Sequence, residues 1–234
     1  MPRQHFIVQS GPHGYIDEKK VKHLEGACCG AVCLTYLFGE LIEGENPQNE
    51  YDIFDDCRVN TKCADVISDA TNPYRIQCYL KGNLYSGTVR GLIGNWEFNA
   101  VPKIWEASAE ENAINQVYGD IMRRDAGRVF PDEINGISEV SPMGEAAIRK
   151  EDMQEGSFFL GVFKSGRCAG GLPSDPAELH YILLKKDDGK LWYNNPHNNT
   201  WIEASIEGIS GGFVLEGGAW VWANYGLYIT AARK

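Results

Sequence analysis

Between Gly26 and Gly39 the chain reads GACCGAVCLTYLFG, an apolar run with no polar face. A run of this kind fits a helix buried on all sides. It predicts a helix that opens near Cys29 and stops at Gly39, where glycine tolerates the left-handed conformation of a helix end. Residues 1–22 are polar and loop-like, with one short strand at His5–Gln9. Glu43–Asp56 is acidic and turn-rich, Ala64–Ile67 has helical spacing, and Arg75–Leu80 alternates as a strand does. Glu110–Arg124 reads as an amphipathic helix with Ile114, Val117, Tyr118 and Ile121 on one face. Gly127–Gly144 is Gly- and Pro-containing surface loop, and Glu145–Met153 a short helix ending before Gly156.

From there the period changes to that of strands. Phe158–Phe163 is continuously apolar, as in a strand covered on both faces. His180–Lys185 and Lys190–Asn194 flank Asp187-Asp188-Gly189, a hairpin signal. Thr200–Ala204, Gly212–Leu215, Trp220–Ala223 and Leu227–Thr230 predict further short strands. Helices first and an antiparallel sheet afterwards predict an α+β fold. The expected organisation is one domain over 1–234, with a mainly helical half at 1–144 and a sheet half at 145–234.

Composition narrows the function classes. The 234 residues carry 32 acidic and 22 basic side chains, a net charge of −10. That balance, with no long Lys/Arg cluster to offset it, argues against nucleic acid as a partner. No run approaches the length of a membrane span, so no membrane partner is expected. The N-terminal MPRQHFIVQSGPHG has no apolar signal core. With an odd set of cysteines (Cys28, Cys29, Cys33, Cys57, Cys63, Cys78, Cys168), it predicts reduced thiols in a cytoplasm, or in a protein delivered by a specialised secretion machine. No Cys-x-x-Cys pair occurs, and Cys29-x3-Cys33 and Cys57-x5-Cys63 lack a following His at zinc-finger distance, so no metal is expected. The aspartates Asp52, Asp55 and Asp56 lack calcium-loop spacing. The six tryptophans read as packing residues.

A nucleophilic cysteine needs a stabilised thiolate, a base within reach, and a group that orients the base. The start of a buried helix supplies free N–H groups and the positive end of the helix dipole. Cys29 occupies that position, and Gly30 after it leaves room for a substrate backbone. Among the five histidines, only His180 opens an apolar strand. Folding the hairpin about a centre between Asp187 and Asp188 pairs His180 with Asn195, on one face with Cβ atoms about 5 Å apart. Cys28 competes as nucleophile, but the glycine follows Cys29.

The string CGAVCL from Cys29, the strand beginning HYIL at His180, and Asn195-Pro196 together resemble the papain-like cysteine peptidase superfamily. The branch they are most similar to is that of bacteriocin-processing (double-glycine leader) peptidases, whose central helix opens Cys-Gly-x-x-Cys-Leu. The resemblance spans roughly 23–39 and 148–200 and leaves an unmatched insertion at about 40–109. It implies a nucleophile helix packed on an antiparallel sheet and a Cys29–His180–Asn195 triad that needs no cofactor. The family carries a Gln about six residues before the Cys, which helps hold the oxyanion; here that position is His23. Three sources for the donor stay open: His23, Gln9 folding back, or the Cys29 N–H with one other group.

The resemblance implies a thiol protease or amidase with a protein or peptide substrate, and leaves the oligomeric state open. Two other classes stand beside it. One is a glutamine deamidase or acyltransferase of bacterial effector or toxin type; the other is a non-catalytic interaction protein on the same scaffold, favoured by the missing Gln.

Overall fold

The computed structural model describes residues 28–41, 53, 57–59, 70–71, 73–81, 95–105, 147–148, 151–165, 179–196, 200–204, 214–215 and 220–234. They form a mixed α+β fold dominated by sheet. The elements in chain order are α1 (Cys29–Leu41), β1 (Arg58–Val59), β2 (Ala70–Thr71), α2 (Pro73–Leu80), β3 (Trp96–Trp105), β4 (Ala147–Ile148), β5 (Phe158–Ser165), β6 (Leu179–Asp187), β7 (Lys190–Asn194), β8 (Trp201–Glu203), β9 (Val214–Leu215) and β10 (Trp220–Arg233). β1 and β2 pair with each other. The remaining strands form one sheet in the order β4-β3-β10-β5-β6-β7-β8, with β9 against β10. All its pairs are antiparallel except β3 with β4.

Both faces of the sheet centre are covered, which is why β5 lacks polar alternation. Phe158, Leu160, Val162, Tyr181 and Leu183 pack with α1 and α2 on one face. Phe159, Phe163, Ile182, Leu184, Leu191 and Tyr193 form a second cluster on the other, joined by Ile148, Met153 and Ala204. Helix α1 is buried from Cys29 through Gly39, as its unbroken apolar sequence requires.

The helix does not stop at Gly39. Glu40 accepts a hydrogen bond from Lys185 Nζ of β6 at 2.8 Å, and Leu41 packs against the core, so tertiary contacts extend it past the glycine. Arg75–Leu80, expected as a strand, is helical. Pro73 opens α2, where the missing N–H costs nothing and φ is already helical; Tyr74, Ile76, Gln77, Cys78, Tyr79 and Leu80 are all buried, and Gln77 Nε2 donates to Ala100 O of β3 at 2.8 Å.

The expected helix at Glu145–Met153 is instead the short β4, held by parallel pairing to β3, followed by turns. Within 1–144 the described residues include both helices and also β3, which lies inside the main sheet, hydrogen-bonded to β10. The strands expected at Trp220–Ala223 and Leu227–Thr230 are one strand, β10, whose register against β5 shifts between Trp222 and Tyr225. Expectations at His5–Gln9, Ala64–Ile67, Glu110–Arg124 and Gly127–Gly144 lie outside the described residues. Among the described residues, no helix is long and apolar enough to cross a membrane.

Candidate active site

The hairpin β6–β7 carries two of the expected residues. Its turn consists of Asp188 and Gly189, both left-handed at φ 53° and 68°, as a two-residue turn of type I′ requires. Asp187 therefore pairs with Lys190, and Leu183 with Asn194. The expected register, with His180 opposite Asn195, is off by two residues. A shift of two keeps each side chain on its face, because the strand period is two. Asn195 lies just beyond the end of the ladder and still reaches the ring: His180 Nε2 is 2.9 Å from Asn195 Oδ1. Both residues are buried. Since Oδ1 only accepts, Nε2 carries the hydrogen, and in the neutral ring Nδ1 is the basic nitrogen.

Helix α1 supplies the sulfur. Cys28 precedes it in a turn, its C=O accepting from Val32 N–H at 3.0 Å, so Cys29 is the first helical residue and its own N–H is free of a helical partner. On β6, Tyr181 pairs with Val162 of β5 on one side, but on the other the β7 ladder has already ended at Asn194. Two thiols take its place. Tyr181 N–H donates to Cys29 Sγ at 3.5 Å, and Cys33 Sγ–H donates to Tyr181 O at 3.6 Å.

The helical spacing of four puts both sulfurs on one face, and they complete the backbone pairing that β7 leaves off. The Cys29-x3-Cys33 spacing thus serves two backbone contacts as well as core filling. These five cysteines, Cys28, Cys29, Cys33, Cys57 and Cys78, are free thiols; Cys63 and Cys168 lie outside the described residues.

The structure thus brings Cys29 against the peptide that joins His180 to Tyr181, and Asn195 onto the His180 ring. The two approaches come from different sides. His180 pairs with Phe163, whose ring belongs to the face opposite α1, whereas Tyr181 packs on the α1 side. Sulfur and imidazole are thus tied to neighbouring residues of β6, the sulfur through the Tyr181 N–H and the ring through Asn195. Tyr36 Oη on α1 donates to Pro196 O at 3.5 Å, tying the turn after Asn195 to the nucleophile helix.

Electrostatics correct one expectation. The helix start does not yield a stabilised thiolate here, because burial pushes the Cys29 thiol up to about 11. Hydrogen bonds from the Tyr181, Gly30 and Cys29 N–H groups pull it down, and burial outweighs them. Cys33 is raised well above its ordinary value by burial, with the neighbouring Cys29 adding to it. Cys29 is only 6% exposed and Cys28 9%.

Gly30 does not open space for a substrate either. A Cβ at that position would overlap the Thr71 hydroxyl, and would stand 3.1 Å from Thr71 Cβ and 3.2 Å from Tyr181 Cδ2. Tyr181 Oη in turn donates to Thr71 O at 3.0 Å. Thr71 and Tyr181 therefore belong to the site, and neither carries a signal in the sequence. His23 and Gln9 lie outside the described residues. No model of a known protein family matches the chain, and no curated protein matches it significantly.

Proposed function

We propose that the chain is a papain-like cysteine hydrolase, in which Cys29 attacks an amide carbonyl, His180 shuttles the proton and Asn195 orients His180. The observation that supports this best is the 2.9 Å contact between His180 Nε2 and Asn195 Oδ1, one peptide away from the Tyr181 N–H that contacts Cys29 Sγ. An imidazole whose Nε2–H is held by an amide oxygen presents Nδ1 as the base, the requirement for taking a thiol proton.

Substrate reaches the sulfur only in an opened form of the site, since Cys29, His180 and Asn195 are all buried. Opening removes the burial that raises the thiol and leaves the backbone N–H groups that lower it, so exposure and ionisation arrive together. The thiolate then bonds the carbonyl carbon, the proton held on His180 passes to the leaving amine, and water releases the acyl group in a second step. Protein or peptide is the proposed substrate, with a glutamine side-chain amide or acyl transfer as the alternative on the same machinery.

A specific observation favours a second reading, a non-catalytic interaction protein: a buried thiol raised to about 11 is the state of a structural cysteine. One experiment separates the two. Purified protein and its Cys29→Ala, His180→Ala and Asn195→Ala variants are incubated with casein and with glutamine peptides, reading new N-termini and released ammonia. Hydrolysis lost in Cys29→Ala and His180→Ala, and weakened in Asn195→Ala, upholds the enzyme. Equal turnover by Cys29→Ala, or none by any form, rejects it.

A further inference from the structure

Thr71 has a hydroxyl that the fold leaves without employment. The residue is 4% exposed, and its Oγ1 is buried with no hydrogen-bond partner among the described residues. A buried hydroxyl normally finds one, and an orphan costs stability. Its location is specific: it rests on Gly30, the residue after Cys29, filling the space a side chain there would need. It is also held in place, because Thr71 O accepts from Tyr181 Oη while Tyr181 N–H contacts the Cys29 sulfur. The hydroxyl therefore lies against Gly30, the second residue of a 13-residue helix whose first N–H groups lack helical partners.

We propose that the Thr71 hydroxyl is the second oxyanion donor of the site, the one other group that acts with the Cys29 N–H. The proposal rests on the hydrolase reading above. When Cys29 sulfur bonds the acyl carbon, the carbonyl π pair moves to oxygen; the Cys29 N–H and the Thr71 O–H hydrogen-bond that oxygen without transferring a proton. The thiol proton passes to His180, and collapse of the oxyanion expels the leaving group. The substrate class is any acyl donor with an uncharged carbonyl oxygen. Tyr181 is a positioning residue for Thr71.

The test uses 4-nitrophenyl acetate with the full chain, reading nitrophenolate release and the acetyl group on Cys29 by mass spectrometry. Thr71→Val keeps the shape that packs on Gly30 and removes the donor; Thr71→Ser keeps the donor. Removal of one oxyanion donor lowers the rate by about 10²–10³-fold, so Thr71→Val is expected to acylate Cys29 slower by that factor with an unchanged or raised Tm, and Thr71→Ser to stay within a few-fold of wild type. A purely structural Thr71 would move Tm and not the acylation rate. Thr71→Val acylating at the wild-type rate overturns the assignment while the hydrolase reading stands. Wild type left unacylated at Cys29 overturns both.

Discussion

Alkaline titration acts directly on the Cys29 thiol, whose pKa is about 11 in the folded chain against an ordinary 9.0. Burial is the cause, and it penalises the thiolate more than the Tyr181, Gly30 and Cys29 N–H groups favour it. Above pH 9 the unfolded chain releases this proton while the folded chain keeps it, so unfolding gains as pH rises. The contribution of the thiol to stability is whole below pH 9 and is lost as pH climbs through 11.

At about 1.36 kcal/mol per pH unit, roughly 1.4 kcal/mol is lost by pH 10, approaching about 2.7 kcal/mol above pH 11. Urea unfolding at pH 8 and pH 10 measures it, for wild type and for Cys29→Ser, which keeps the shape and does not titrate in this range. Groups remote from Cys29 contribute equally in both proteins and cancel, while Cys33, which Cys29 helps raise, enters the difference in the same direction. Wild type is expected to lose about 1.4 kcal/mol more than the variant between the two pH values. Equal losses, within about 0.3–0.5 kcal/mol, would show that the thiol is not sealed in the resting fold.

Three further outcomes follow from the packing. Lys185→Met removes the ion-pair partner at 2.8 Å from Glu40, whose side chain is 3% exposed, and is expected to cost about 1–3 kcal/mol in urea unfolding; adding Glu40→Leu restores most of it, and no restoration would mean the pair is not what fixes the end of α1. Gly30→Ala forces a methyl into Thr71 and is expected to cost about 1–3 kcal/mol, with the loss relieved in Gly30→Ala/Thr71→Ala; additive losses would contradict the contact. Asn194 is fully buried with both amide atoms unpartnered among the described residues, so Asn194→Leu is expected to be neutral or to stabilise by about 1–3 kcal/mol, and a lower Tm would show that the amide has a partner such as a buried water.

The sheet centre was legible because its signals are local. β5 is apolar without interruption, and Asp188-Gly189 encodes a hairpin whatever surrounds it. The register was not, since it depends on which two residues turn left-handed; the error of two preserved the faces, so the meeting of His180 and Asn195 survived it. Helix α1 was legible at its start and not at its end, where an ion pair from β6 carries it past Gly39. α2 was misread by weighing alternation above a proline in first position. β4 depends on pairing with a strand more than forty residues earlier, and the Thr71 contact on Gly30 spans a similar gap; neither leaves a trace in local sequence. The Cys29-x3-Cys33 spacing was visible, but its use, two thiols replacing a missing strand beside Tyr181, required knowing where β7 stops.

The central claim is that Cys29 ionises with His180 once the site opens, and site-resolved alkylation tests it most directly. Wild type and His180→Ala are treated with iodoacetamide at pH 6, and modification of Cys29, Cys57 and Cys78 is followed by peptide mass spectrometry. Cys29 is predicted to react far faster than Cys57 and Cys78 in wild type, and to lose that lead in His180→Ala. Equal, slow labelling of all three cysteines in both proteins would contradict the account and leave Cys29 a structural thiol.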